Sequence, residues 1–302
     1  MGAFSCLSPM NLSFLAASAA ALSLLTLTPL HAGPASEMPP TNKSGYHLFH
    51  PTPRAQMREL STDRPDQTES PYTVDAGHFQ VEMDFANGTF DTDRSNGGKV
   101  RSRTMNFGSV NLKAGLLNNV DIQFVIDPYV DSRIEDRVTR TVEKASGFGD
   151  VETRLKINLW GNDGGRTALA IMPFVKWPLP ESGLRNGKTE GGVIIPLAIE
   201  LPAGWSTTVM TEFDFVRNDV GGYDTEFVNS VTFAHDIAGN LGGYLEFFSV
   251  VGNAPGFDWI GQVDVGFTYA ISDNAVLDFG CNFGVTEATP DFNPFVGFSI
   301  RF

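Results

Sequence analysis

Asp91, Asp93 and Ser95 place oxygen-bearing side chains at every second position of one polar segment. This spacing is typical of the start of a calcium-binding loop, in which such oxygens coordinate the cation. The glycine that this loop needs lies one place late, at Gly97, and no glutamate follows at the distance required for bidentate binding. We therefore expect a polar loop here and no metal site.

A second segment, from Gly183 to Thr189, resembles a phosphate-binding loop because a Lys-Thr pair follows two glycines. The loop of nucleotide-binding proteins has four residues between these glycines, whereas this segment has three. No helical pattern follows Thr189, although a helix N-terminus completes such a site. The sequence therefore predicts a polar surface loop.

His235 and Asp236 could serve a hydrolase, in which a histidine activates a nucleophile and a carboxylate orients the histidine. Such a site also needs the nucleophile and an oxyanion-binding group, and no nucleophile motif stands out in the sequence. The histidines beyond residue 32 do not lie at the spacing of metal ligands. Cys281 lies between Phe279 and Phe283 on an apolar strand face, which favours a packing role. We expect no catalytic residue, no metal and no cofactor.

The remaining candidates are charged side chains that alternate with apolar ones. Phe79, Val81, Met83 and Phe85 alternate with polar residues, which indicates a strand with one apolar and one polar face. Similar alternation recurs to the C-terminus at Phe302. The charged residues on these polar faces are Glu82, Asp84, Glu152, Arg154, Lys156, Lys176, Glu200, Glu212, Asp214, Glu246, Asp264, Asp278 and Arg301.

Twelve such strands follow one another within residues 76–302, and the connections between them are alternately short and long. This pattern predicts an all-β fold, a transmembrane antiparallel up-and-down β-barrel of about 12 strands. The polar stretch at 131–147 is interpreted as one of the long connections. A soluble β-sandwich or lipocalin-like barrel is the alternative, and in that fold the apolar face would point inward.

In a membrane barrel, the charged faces would line the lumen. The acidic excess among the lumen-lining candidates would favour cations over anions in an aqueous pore. The same charges could instead pair across the lumen and close it, and the sequence leaves both outcomes open.

Composition and charge exclude two other classes of protein. The 302-residue chain has 35 acidic and 21 basic side chains, a net charge of −14. A nucleic-acid partner is excluded because phosphate binding needs clustered Lys and Arg. A bundle of transmembrane helices is excluded because only one apolar run, at 12–30, reaches the length of a membrane span.

The N-terminal residues have the features of an export signal. The uncharged run at 12–30 ends at Leu30-His31-Ala32, which predicts a signal peptide over residues 1–32 with cleavage after Ala32. No basic residue precedes the run, so a retained membrane anchor is the alternative. Residues 33–75 show no period, and we expect a periplasmic lead-in or a plug segment.

Two stretches carry a resemblance to a known family. Residues 61–82 read STDRPDQTESPYTVDAGHFQVE, and a weaker second stretch runs from Gly147 to Asn162. Both resemble the meta-pathway phenol-degradation family of bacterial outer-membrane β-barrel proteins, many of which are described as transporters. Phe302 is similar to the C-terminal aromatic residue that the barrel-assembly machinery recognises in such proteins.

The resemblance implies an outer-membrane channel or transporter for small aromatic or hydrophobic solutes, with both termini in the periplasm. Its partners would be outer-membrane lipid and lipopolysaccharide, the assembly machinery at Phe302 and a small-molecule solute. Within the first stretch, Asp63, Arg64, Asp66 and Glu69 could pair with a charged lumen as a plug or constriction. A rigid lead-in that fixes the first strand is the alternative. The alternative functions are those of a structural or adhesive barrel without transport, or of a barrel hydrolase.

Overall fold

A computed structural model describes residues 42–93, 100–179, 184, 187–218 and 220–302. The signal-peptide prediction lies outside these residues, as do parts of the predicted loops at 91–97 and 183–189. Within the described ranges, helical structure is limited to 3-10 turns at Arg54–Gln56 and Pro202–Gly204. No helix in this part of the chain is long and apolar enough to cross a membrane.

The described residues form fifteen β-segments joined in one antiparallel sheet. Their bounds are β1 (Phe79–Asp93), β2 (Val100–Phe107), β3 (Val110–Leu117), β4 (Val120–Ile126), β5 (Tyr129–Asp136), β6 (Thr141–Gly147), β7 (Val151–Trp160), β8 (Thr167–Lys176), β9 (Glu190–Glu200), β10 (Trp205–Arg217), β11 (Tyr223–Ala238), β12 (Leu241–Gly252), β13 (Ile260–Ser272), β14 (Ala275–Gly284) and β15 (Phe292–Arg301).

The sheet closes on itself because the first and last strands pair. β1 pairs antiparallel with β15 over eight registered positions, from Gln80 opposite Arg301 to Phe90 opposite Phe292. Three pairs of segments, β2 with β3, β4 with β5 and β6 with β7, are the halves of single strands. The closed barrel therefore has twelve strands, which confirms the predicted fold class and strand number.

One part of the sequence prediction was wrong. Residues 131–147 were interpreted as a long connection, but β5 and β6 form a registered hairpin there, from Val130 opposite Gly147 to Asp136 opposite Thr141. The side chains of β6 are mostly exposed and polar. A strand that is exposed on both faces lacks the apolar alternation that identifies the others, so the period-two pattern missed it.

The barrel has apolar side chains on its outer face and polar side chains inside, which is the reverse of a soluble protein. Large apolar side chains, including those of Phe85, Phe213, Leu245 and Phe279, are exposed on the outer face. The most deeply buried residues include Lys156, Glu246 and many other polar groups. An apolar outside with a polar interior is the arrangement expected when lipid surrounds the barrel.

Residues 58–76, here called the inner segment, precede β1 and run among the inward-facing side chains. The backbone of Asp75 passes so close to Gly115 on β3 that a Cβ there would overlap the Asp75 carbonyl. Gly77 donates its N–H to the Gly115 carbonyl oxygen at 2.8 Å. Both ring nitrogens of His78 contact carbonyl oxygens, that of Thr52 at 2.7 Å and that of Phe302 at 2.8 Å. These contacts fix the end of the inner segment beside the barrel closure.

Candidate functional site in the barrel interior

The polypeptide backbone of the inner segment is held by side chains from several strands. The amide of Gln80 on β1 donates to the carbonyl oxygen of Ser61 at 2.8 Å. Asn158 on β7 donates to the carbonyl oxygen of Pro71 at 2.9 Å. The N–H of Val74 donates to Asp121 on β4 at 2.9 Å. Strand side chains thus satisfy backbone groups that have no sheet partner, as buried polar groups require.

A basic cluster receives Asp63 of the inner segment. Lys113 on β3 and Lys156 on β7 both form ion pairs with the Asp63 carboxylate, and all three side chains are buried. Lys113 also pairs with Glu82 on β1, which accepts the backbone N–H of Asp63 at 3.1 Å. Burial raises the pKa of Asp63, but the charges of Lys113 and Lys156 outweigh this and hold the pKa well below its usual range.

The second ion-pair cluster joins Glu69 of the inner segment to β7. Arg154 contacts both Glu69 and Glu152, its neighbour two residues earlier on the strand. Burial, together with the nearby charge of Asp63, raises the pKa of Glu69 to about 7, although Arg154 acts in the opposite direction.

Arg64 contacts β1 and the strands on the other side of β1 from the lysines that bind Asp63. Its guanidinium pairs with Asp84 on β1 at 2.8 Å and with Asp278 on β14 at 2.6 Å. It also lies against Gly297 on β15 and 5.8 Å from the centre of the Phe295 ring. Consecutive residues of the inner segment therefore anchor it to β1 and to strands on either side of β1.

An acidic wall on β12 and β13 binds the tip of the inner segment through donors that carry no charge. The N–H groups of Gln67 and Thr68 each donate to Glu246 at 2.9 Å. The Gln67 side chain donates to Asp264 at 3.2 Å, and the Thr68 hydroxyl lies 2.6 Å from that of Ser230. No lysine or arginine takes part in these contacts between the wall and the tip of the inner segment.

An apolar patch completes the interior beside Glu69, whose N–H points to the sulfur of Met210 at 3.3 Å. Its core residues are buried and come from neighbouring strands: Met172, Ile194, Met210, Val228 and Val250. Phe174, Phe248, Phe257 and Ile260 pack against them. The sequence prediction did not include this patch because it named only charged residues for the lumen, although alternation places Met210 on the polar face of its strand.

The short-turn end of the barrel holds a further ion-pair group around Asp75. Its carboxylate lies 3.3 Å from Arg301, 3.4 Å from Arg58 and 3.6 Å from Lys43. Residues 58–60 separate two cavities here, of about 580 Å³ towards Gly164 and about 900 Å³ towards Asn274.

The predicted lumen residues fall into three groups. Glu82, Asp84, Lys156, Glu246, Asp264, Asp278 and Arg301 are buried inside the barrel; Glu152, Arg154, Lys176, Glu212 and Asp214 are half-buried; Glu200 is exposed at the end of β9 and lines the 580 Å³ cavity. Lys176 pairs with Asp150 at 3.0 Å and with Glu190 at 3.2 Å, away from the inner segment.

Some buried residues were absent from the predicted set. Lys113 lies on a strand with weak alternation, so the pattern gave little signal. Asp121 and Gln123 do alternate with apolar residues on β4, and this signal could have identified them. The contacts of Arg58 and Asp75 could not be predicted, because the inner segment has no periodicity.

The residues first considered for catalysis have structural contacts. His235 lies 3.1 Å from the carbonyl oxygen of Ala203, and its ring packs against Trp205 with 4.6 Å between centroids. Cys281 is half-buried on β14. Across the described ranges, His, Cys, Asp and Glu side chains do not form a group of three arranged to hold a metal ion.

A closed antiparallel barrel with an apolar outer face and a polar interior is an outer-membrane β-barrel protein. A family model described as "Putative MetA-pathway of phenol degradation" matches residues 62–302, so the chain belongs to that family. This match confirms the resemblance carried by residues 61–82.

Solved structures superpose on the chain at low sequence identity. An outer membrane channel from Pseudomonas putida F1 superposes with a TM-score of 0.57 at 13% identity, covering 80% of this chain and 100% of that chain. The translocator domain of the autotransporter NalP from Neisseria meningitidis has a TM-score of 0.48 at 9% identity, covering 74% of this chain and 88% of that chain. No curated protein matches the sequence significantly.

Proposed function

We propose that the protein is an outer-membrane channel for small solutes, with aromatic or hydrophobic compounds as its cargo. The observation that carries the proposal is the barrel interior, which is polar, closed around the inner segment and flanked by cavities at the short-turn end. The family's link to phenol degradation and the channel named in the Pseudomonas putida structure support the same conclusion.

In this proposal, the predicted lumen charges line the solute path, and the inner segment is its plug. Asp63, Arg64, Asp66 and Glu69 would form the constriction, and three of them have ion pairs with the barrel wall that support this role. Solute would pass beside the inner segment or after its displacement. The apolar patch at Met210 would give hydrophobic solutes a surface to contact within an otherwise charged interior.

We further infer the orientation and the partners. β1 begins and β15 ends at the end of the barrel that has the short turns, which in outer-membrane barrels faces the periplasm. Both termini would then be periplasmic, and the longer loops would face lipopolysaccharide. Residues 1–32 would be the export signal, residues 33–75 would include the plug, and Phe302 would be recognised by the barrel-assembly machinery.

Two measurements test the channel function. In planar lipid bilayers, we expect conductance steps from the purified protein and a reversal potential that indicates cation preference. In cells, we expect faster uptake of a radiolabelled phenol-sized solute at low micromolar concentration when the protein is present in the outer membrane. A protein that shows neither conductance nor an effect on uptake would contradict the proposal and favour a structural or adhesive barrel.

A further inference from the structure

The outer face of the barrel carries three basic side chains side by side at the end opposite the short turns. Arg103 on β2 lies directly opposite Arg133 on β5, and Arg133 lies directly opposite Lys144 on β6. Side chains at directly opposite positions of an antiparallel pair point to the same face, and their Cβ atoms lie about 4.5–5.5 Å apart. These three residues, here called the basic row, therefore repel one another, because like charges directly opposite are destabilising.

The basic row lies just beyond aromatic residues that face the lipid. Phe107 on β2 and Tyr129 on β5 are opposite each other and exposed on the outer face. Arg103 and Arg133 each lie four residues further along the same strands, which keeps them on this face and places them about 13 Å away along the strand. Aromatic residues of an outer-membrane barrel mark the border of the hydrocarbon. The basic row is thus at the level of the lipid head groups.

Carboxylates on this face neutralise the basic row only in part. Asp131 pairs with Arg103 at 3.0 Å, and Glu135 lies 3.5 Å from Arg133. Both pairs are exposed, so each contributes little free energy and leaves the arginine free to exchange partners. Lys144 is exposed and has no ion-pair partner among the described residues. The basic row therefore keeps a net positive charge, in a chain whose own net charge is −14.

A surface depression of about 370 Å³ extends from the basic row towards β1 and β15. Arg101 lines it together with the two arginines of the row, and so do Phe90 and Phe292, whose rings stack at 4.8 Å. The carboxylates of Asp91 and Asp291 line it on the side away from β6. The positive part of the depression is therefore at β2 and β5, beside aromatic rings that continue into the lipid-facing surface.

We propose that the outer face of β2, β5 and β6 binds a phosphate group of lipopolysaccharide through Arg103, Arg133 and Lys144. A phosphate between these side chains replaces their mutual repulsion with charge-assisted hydrogen bonds, and a guanidinium can form two such bonds at once. The adjacent aromatic surface favours a phosphate carried by a lipid over a free one, since the acyl chains then lie in the surrounding membrane. This inference goes beyond the channel function and rests only on the proposed orientation of the barrel.

The test compares three lipids that differ in the phosphate they carry. The purified protein is refolded in detergent without lipopolysaccharide, and native mass spectrometry measures its binding of lipid A, of dephosphorylated lipid A and of phosphatidylglycerol. EDTA is present so that divalent cations do not bridge carboxylates and phosphates. We expect lipid A to bind at least about tenfold more tightly than either other lipid, because its phosphate monoesters carry more charge than a phosphodiester. Excess inorganic phosphate should not displace it.

One double variant and its matched control assign the binding to the basic row. R133Q/K144Q removes two adjacent charges and should weaken the binding of lipid A at least about tenfold. R54Q/R166Q removes two charges that are exposed at the short-turn end, so its affinity should equal that of the wild type. Circular dichroism checks that each barrel is folded, and the comparison of lipids on the wild type does not depend on either variant.

Any of four results would overturn the site: no binding of lipid A, equal affinity for one of the other two lipids, displacement by inorganic phosphate, or wild-type affinity in folded R133Q/K144Q. Equal weakening in the control variant would also contradict it, because the effect would then follow from overall charge. A protein that conducts ions without binding lipid A loses only this site. A protein that binds lipid A without conductance or uptake retains the site and loses the channel function.

Discussion

The guanidinium of Arg64 lies flat against Gly297, so the inner segment meets β15 where that strand has no side chain. The absence of a Cβ lets Arg64 reach Asp278 at 2.6 Å and Asp84 at 2.8 Å. Arg64, which belongs to the family signature at residues 61–82, therefore depends on the glycine at position 297 for its contacts.

The variant G297A should release the inner segment from this wall. Its new methyl group would overlap the end of the Arg64 side chain, which must move and weaken its ion pairs with Asp278 and Asp84; the loss should be at most about 1.5–3 kcal/mol, the contribution of a hydrogen bond to a charged group. We expect lower stability in urea unfolding and a larger or noisier single-channel conductance. G45A is the control, because a Cβ at Gly45 has no atom within 4 Å. Unchanged conductance and stability in G297A would show that Arg64 does not anchor the segment.

Lys156 should be among the most sensitive positions of the interior. K156M leaves Asp63 with one of its two lysine partners in a buried environment, so we expect a loss of about 3 kcal/mol in the free energy of unfolding. The control is R103Q, because Arg103 forms its 3.0 Å pair with Asp131 on the exposed surface. Pairs of that kind contribute at most about 1 kcal/mol. Equal losses in the two variants would contradict the buried role of Lys156.

Glu69 should give the stability of the protein a dependence on pH. Its pKa is raised from 4.5 to about 7 in the folded protein, so the native state binds more protons than the unfolded chain between these values. The free energy of unfolding should therefore fall as the pH rises from about 4.5 to about 7, by at most about 3 kcal/mol. E69Q should lose this contribution, which is measured as the difference between wild-type and variant urea unfolding at pH 5 and pH 8. Parallel stability profiles for the two proteins would refute it.

The sequence predicted the strands of the barrel wall better than the residues that fill the interior. Alternation identifies strands such as β1 and β7 because lipid demands an apolar face and the interior tolerates a polar one. The same rule failed in two places. β6 has no apolar face to detect, and the inward positions of Met172 and Met210 are apolar like the outward ones around them. The partners of the inner segment depend on how an aperiodic chain folds back, which residue spacing does not encode.

Met210 and its neighbour Val209 lie on opposite faces of β10, so variants at these two positions distinguish the interior of the barrel from its lipid-facing surface. M210A removes a fully buried side chain that touches the inner segment through the N–H of Glu69, so we expect a loss of about 2–4 kcal/mol in stability and a wider lumen. V209A changes the adjacent residue, which is 43% exposed on the lipid face, and should leave conductance unchanged. Single-channel conductance should therefore rise in M210A alone. If both variants conduct like the wild type, the apolar patch does not lie on the solute path. If both conduct more, the effect comes from general loosening of β10, because the two side chains point in opposite directions.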